Sequence, residues 1–251
     1  MDENKKYELT NESITCGNVK MFRIKSLKDF GTIKCGDLGG WIADERNLSQ
    51  TGDAWVFDNA KVCNNALVCD NARVSGDAWV FDNAKVYDNA WVSGNVNMGG
   101  NAMVCGNAMV WDNVRIFHNV WIFGNAEVSD NVELYDNVKV YGNAKVHGNA
   151  EVCDKTEVYG NAEVAGIAKV QGNANIYGDA KVYYDTDYIV FKNFWSSGRY
   201  FTWTRSNDKY KVGCFYGSGE ELVKKAYQDS EISGKNYKLI VDYVESIKKS
   251  I

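Results

Sequence analysis

Val140-Tyr-Gly-Asn-Ala-Lys145 is one copy of a six-residue unit that recurs from Trp55 to Tyr183. Steps of six from Val56 to Val182 meet Val, Ile, Leu or Met at all 22 positions, Met98, Ile116, Ile122, Leu134 and Ile176 among them. The register has no insertion or deletion. Four residues after each aliphatic side chain comes a small one, such as Ala60, Ala66 and Ala72, with Val96, Val114 and Thr156 as larger variants. Between them stand Gly or Asp and then Asn, as in Asp58-Asn59, Gly94-Asn95 and Gly148-Asn149.

One aliphatic and one small residue are too little to bury alone, but stacked units bury a continuous column. The aliphatic residue lies between two outward positions, which is the alternation of a short strand. The Gly/Asp-Asn pair is a corner, because Gly, Asp and Asn tolerate the positive φ that Val does not. A period of six does not match 3.6, and the Gly-Asn pairs break helices throughout.

The outward residues set the length of a coil. Glu127, Lys145, Glu163 and Lys181 are eighteen apart and alternate in sign. Tyr87, Phe123, Tyr141, Tyr159 and Tyr177 share one eighteen-residue register, with Cys69 and Cys105 in its other places. Three sides of six residues place these as vertical ladders. With coils ~4.8 Å apart, about seven of them make a prism roughly 35 Å long.

The pattern aliphatic-x-Gly/Asp-Asn-Ala-x resembles the hexapeptide repeat of left-handed parallel β-helix proteins, over about half of the chain. The resemblance implies a mainly β fold: a single-stranded left-handed parallel β-helix of about seven 18-residue coils, with an N-terminal cap and a small C-terminal α+β module. The left hand comes from the family alone, since the general rule for parallel crossovers favours the right. Phe30-Gly-Thr-Ile-Lys-Cys-Gly-Asp-Leu-Gly-Gly-Trp-Ile42, running into Asn47-Leu-Ser49, resembles the lead-in of uncharacterised bacterial and phage members. Similar β-helices commonly form trimers through their flat sides, so a homotrimer is expected.

Three segments follow. Residues 1–50 form a cap, with a strand over Met21 to Ile24 and with Phe30 and Trp41 as plugs for the open solenoid end. Ile42 and Leu48 are six apart and begin an irregular first coil; eight residues then separate Leu48 from Val56, two more than the repeat. The β-helix spans 51–185. Residues 186–251 form the α+β module, with strands at Tyr188 to Phe194, Arg199 to Arg205 and Lys209 to Phe215. Ser218 caps one helix, and a second follows Gly234.

Composition narrows the function classes. A net charge of −5 points away from a nucleic-acid polymer. The start Met-Asp-Glu-Asn-Lys-Lys has no apolar run behind it, and no transmembrane stretch follows, so a cytoplasmic protein is expected, in the host cell if phage-encoded. The seven cysteines have no Cys-x-x-Cys spacing and read as free thiols. No metal-ligand spacing is evident. The corner aspartates Asp58, Asp70, Asp82 and Asp88 lack a calcium nonapeptide.

Enzymes that resemble this repeat are mostly acyltransferases, with a histidine general base and an acylated pantetheine cofactor between subunits. The chain has two histidines: His118 at a corner, and His147 outward near Lys145 and Glu127 or Glu163. The uninterrupted repeat lacks the loop that often completes such sites. The expectation is therefore a non-enzymatic binding or scaffold protein without a cofactor, and acyl transfer at His118 or His147 is the alternative. Trp55, Phe57, Trp79, Phe81, Trp91, Met103, Met109, Trp111, Trp121 and Phe123 make the first four coils apolar outside, as at an interface, to be covered either by the terminal modules folding back or by identical subunits. Arg115, Phe117, His118, Trp121 and Phe123 form an aromatic and basic corner suited to a small anionic, nucleotide-like ligand in a groove between subunits. Arg199, Trp203 and Arg205 are a second candidate binding face.

Overall fold

A computed structural model describes residues 5–249; residues 1–4 of the expected cap and 250–251 of the expected C-terminal module lie outside it. Residues 38–182 form a parallel β-solenoid of about eight turns and three sides. Each side is a ladder of two-residue strands paired with the strand eighteen residues on, as in Trp91↔Met109, Arg115↔Glu133 and Glu127↔Lys145. The aliphatic column and the small-residue column fill the interior, and Val56 to Val182 are all buried.

The corners make the repeat possible. Asp58, Asp82 and Asp130 take positive φ, as do Gly94, Gly124 and Gly148 at equivalent places. A Cβ at Gly94 would lie 2.7 Å from the Asp112 nitrogen, so close stacking of corners also favours Gly there. The following asparagines stack their side-chain amides into ladders at the three corners, for example Asn83 to Asn101 to Asn119 at 3.1 and 3.0 Å. Their amide-to-amide bonds repeat at every coil, as in cross-β stacks.

The expected irregular start is present. Ile42 pairs with Val62 and Leu48 with Val68, an offset of twenty, before Val56 pairs with Val74 at eighteen. The two extra residues bulge around Gly52. Outside the strand pairs, the regular coil bonds run one way, from an N–H to a carbonyl seventeen residues on, as in Lys61 to Ala78 and Asn95 to Asp112. The two ends therefore need different caps.

At the first coil the cap supplies donors. A hairpin of Tyr7–Cys16 and Val19–Ser26 pairs with Leu38–Ile42. The buried Lys6 Nζ reaches the carbonyls of Ala54 (2.9 Å), Gly52 (3.3 Å) and Thr51 (3.5 Å). Tyr7 Oη lies 2.7 Å from the Leu48 carbonyl, and the Asn47 amide donates to Ala66 at 2.8 Å. Phe30 packs edge-on against Trp55 at 5.4 Å, as a plug should. Trp41 does not plug the end. It holds an outward register position beside Lys61, under the Arg23 guanidinium at 5.1 Å, and Tyr7 and Ile24 fill the interior instead.

At the last coil the cap supplies oxygens. Lys169 N–H donates to Asp185 Oδ1 (2.8 Å), Asn175 N–H to Thr202 Oγ1 (2.8 Å), Lys181 N–H to Ser206 Oγ (2.7 Å) and Tyr183 N–H to Asp187 Oδ2 (2.8 Å). The C-terminal sheet has four antiparallel strands and not three: Tyr188–Lys192, Tyr200–Thr204, Lys209–Val212 and Phe215–Gly217. Gly213, at φ +55, turns the expected third strand back on itself. Thr202 meets the solenoid, while Phe201 and Trp203 join a second core with Gly219–Asp229 (α1) and Glu231–Lys248 (α2). The second helix starts at Glu231, capped by Ser230, before the expected Gly234. Gly234 lies within its first turn because a Cβ there would be 2.3 Å from the Tyr227 ring, so the glycine lets the helices close.

Thr156 is a flaw in the interior column. Its hydroxyl is buried without a hydrogen-bond partner, between Val138 and Ala174 in register. Thr156→Val should raise stability by about 1 kcal/mol, read as a higher urea midpoint, because it removes an unsatisfied donor at constant shape. Burial pushes the Lys6 ammonium down to about 8 from 10.5. The unfolded chain thus holds this proton more tightly, and the group's contribution to stability rises with pH between those two values. Urea titrations at the two ends of that window should show the rise in the parent and its loss in Lys6→Met.

Candidate functional site

Because residues eighteen apart are vertical neighbours, the outward side chains form columns, two on each side of the prism. Arg115 and Phe117 flank Ile116 on one side, and Trp121 and Phe123 flank Ile122 on the next. His118 stands on the corner between them. The five expected site residues therefore share a convex edge and do not enclose a cavity.

Each of the five is engaged with its own column. Arg115 Nη1 lies 2.9 Å from Glu133 Oε1, both exposed. Phe117 meets Phe81 at 6.3 Å across Gly99, where a Cβ would lie 2.6 Å from the Phe81 ring. Trp121 donates its indole N–H to Cys105 Sγ at 3.3 Å. Phe123 is stacked on Tyr141 at 4.7 Å and 5°, with Trp121 at 4.5 Å, so little ring face is left for a ligand. That aromatic column continues through Tyr159 and Tyr177 to Tyr216 of the C-terminal module, with Lys211 over Tyr177 at 4.8 Å. Burial, and then the Glu157 carboxylate, hold the Tyr141 and Tyr159 hydroxyls far above the usual tyrosine range. The ladder ties the C-terminal module to the solenoid.

His118 takes the place of a corner aspartate. Asp58, Asp82, Asp130 and Asp154 each accept the N–H of the corner eighteen residues on, at 2.7–3.0 Å. His118, at φ +65, offers Nδ1 to the Asp136 N–H at 3.3 Å and lies 3.1 Å from Asp136 Oδ1. These carboxylates serve backbone donors, and among the described residues no group of three or more His, Cys, Asp and Glu could hold a metal ion.

His147 lies on the third side. Its Nε2 is 3.2 Å from Glu163 Oε1, and its Nδ1 is 3.9 Å from Asp130 Oδ2. Burial works against the Glu163 charge, yet hydrogen bonds from His147 and Lys181 prevail and hold this carboxyl below the usual range. The expected acidic neighbour is thus Glu163, and Glu127 pairs with Lys145 at 2.9 Å.

The second candidate face does not converge. Trp203 is only 2% exposed and donates its indole N–H to Asp208 Oδ1 at 2.9 Å, inside the module core. Arg199 and Arg205 are exposed near opposite ends of Tyr200–Thr204, roughly 20 Å apart along an extended chain. The pleat turns Phe201 and Trp203 towards the helices, which removes Trp203 from any outer face.

A concave feature lies elsewhere. Trp91, Ser93, Gly94, Met109, Val110, Trp111 and Asp112 line a hollow of about 390 Å³ on the third side. Trp91 is 48% exposed, and its indole N–H donates to Ser75 Oγ at 3.2 Å. Trp91, Met109 and Trp111 are legible in the sequence as apolar and outward. The signal for the hollow itself is a spacing of twenty, one coil plus two residues, which sets two indoles on a diagonal. The N-terminal cap covers Trp55, through Tyr7 and Phe30, but Trp91 stays exposed. A second groove, about 680 Å³, runs between the two helices around Val223 and Val241.

His118→Val should lower the unfolding free energy by about 1–2 kcal/mol, because a β-branched residue resists positive φ. His118→Asp should leave it close to the parent. Thermal unfolding of the two variants checks this.

Two comparisons bear on these sites. A family profile described as YdcK Beta solenoid repeat matches residues 66–82. The chain is 34% identical over 65 residues to a protein named Uncharacterized acetyltransferase YdcK from Escherichia coli (strain K12). That match spans 26% of this chain and 20% of the relative's length.

Proposed function

We propose that this chain is a non-catalytic binding scaffold, a rigid prism that assembles with copies of itself through flat aromatic sides. The observation that carries this reading is the strip of Trp79, Phe81 and Phe117 on the Arg115 side. These rings lie 5.2 and 6.3 Å apart in sequence of contact and are only partly buried in the single chain. Gly99 keeps the strip flat. A side of five or six residues and eight coils offers roughly 600 Å² per partner, which reaches the lower range of specific interfaces when two sides meet. A trimer closes three such contacts.

In the finer form of this reading, a neighbouring copy completes a groove over Arg115, Phe117 and His118. A small anionic, nucleotide-like ligand is sequestered there, as a phage-type protein would do, with Arg115 exchanging Glu133 for the ligand. Charge-assisted contact to Arg and stacking on an exposed ring edge supply the recognition.

A second reading, acyl transfer, is favoured by the His147–Glu163 pair, since a general base needs an acidic partner to orient it. The partial likeness to a protein named an acetyltransferase agrees with it.

Native mass measurement should return a trimer, and Trp79→Glu should return a monomer; a monomeric parent removes the groove. A thermal-shift screen should then favour nucleotides over acylated pantetheine cofactors. Stabilisation by the cofactors alone, with acetyl transfer that is lost in His147→Ala, would overturn the non-catalytic reading.

A further inference from the structure

We propose that the hollow beside Trp91 is a binding site for a small organic cation, an alkyl- or quaternary ammonium group. It lies on a different side of the prism from the Trp79 strip and does not depend on assembly.

The walls of the hollow include two tryptophans, Trp91 and Trp111. Trp91 pairs in register with Met109, and Trp111 stands one coil above Ser93. The two tryptophans are thus placed on a diagonal, with backbone positions about 8 Å apart. The hydrogen bond to Ser75 Oγ fixes the Trp91 ring. A volume of about 390 Å³ falls within the range of small-ligand sites. Indole faces attract cations through their quadrupole, more strongly than other rings do.

The rim carries an unengaged carboxylate. Every other corner aspartate of the solenoid accepts the N–H of the next coil's corner. Among the described residues, Asp112 is the corner aspartate that accepts none, and it lines this hollow. A free carboxylate beside two indoles favours positive charge and disfavours anions. Glu127, one coil above Met109, is occupied by Lys145, and Arg73, one coil below Trp91, is not part of the lining. The net charge of −5 adds a weak general attraction for cations.

The test titrates the full chain with tetramethylammonium and choline, followed by tryptophan fluorescence and calorimetry, against dimethylbutanol, the neutral carbon isostere of choline. Saturable binding of both cations is expected, with the isostere weaker by about tenfold. Asp112→Asn keeps the left-handed corner, since Asn tolerates it, and should weaken the cations by roughly tenfold. Trp111→Ala should abolish binding; should that variant fail to fold, Asp112→Asn decides alone. Equal binding of the isostere, an unchanged Asp112→Asn, or no saturable binding by the parent overturns the proposal. So does an oligomer that Trp91→Ala dissolves while free cations do not bind, because a neighbour's side chain then fills the hollow. Trp79→Glu should keep its cation binding even where it loses assembly, which separates this site from the scaffold reading.

Discussion

The backbone bond from each outward or corner N–H to a carbonyl seventeen residues on governs the rest of this molecule. It can form at every coil only if each side uses six residues and each corner turns in the same two. The turn needs positive φ, and Asp, Gly, Asn or His at that place accepts it. An extra residue inside the stack would move one column off its neighbours above and below. The two extra residues before Val56 are tolerated because no coil lies beneath them, and Lys6 gathers the carbonyls they leave free.

The shared direction of these bonds gives the prism two unlike ends. Carbonyls left at the first coil are met by Lys6 and Tyr7, and amides left at the last coil by Asp185, Asp187, Thr202 and Ser206. This polarity explains why Thr202 and Ser206 turn their hydroxyls to the solenoid, while Phe201 and Trp203, on the alternate face of the Thr202 strand, pack towards the helices. It also accounts for the structural duty of Trp203, which a strand pattern alone can assign to either face.

The columns on the outside differ in how far they satisfy themselves. In the later coils, Lys and Glu pair vertically and tyrosines stack, so neighbours eighteen apart meet each other's needs. In the earlier coils the indoles of Trp79 and Trp91 donate to Cys63 and Ser75 of the coil below, yet much of the Trp91 ring stays exposed. Apolar surface there stays available, with Asp112 beside it unengaged. Binding is expected where the repeat stops answering its own requirements, and the histidines are held mainly by contacts that stack the coils.

Periodicity alone determined the solenoid, its three sides, the eighteen-residue neighbours and the irregular first coil, because a strict repeat fixes every partner by counting. It also offered Glu127 and Glu163 as neighbours of His147, between which the structure chose Glu163, and placed Arg115, Phe117 and His118 as neighbours along an edge. Counting does not show whether that edge is convex or hollow, nor which ring faces are already stacked. Phe123 and Trp203 were legible as aromatic residues, but their availability was decided by Tyr141 above one and by the helices over the other. The hollow at Trp91 and the unused carboxylate of Asp112 likewise belong to the tertiary structure. Concavity and unmet hydrogen bonds are properties of what surrounds a residue, and the surroundings here come from adjacent coils that only folding brings together.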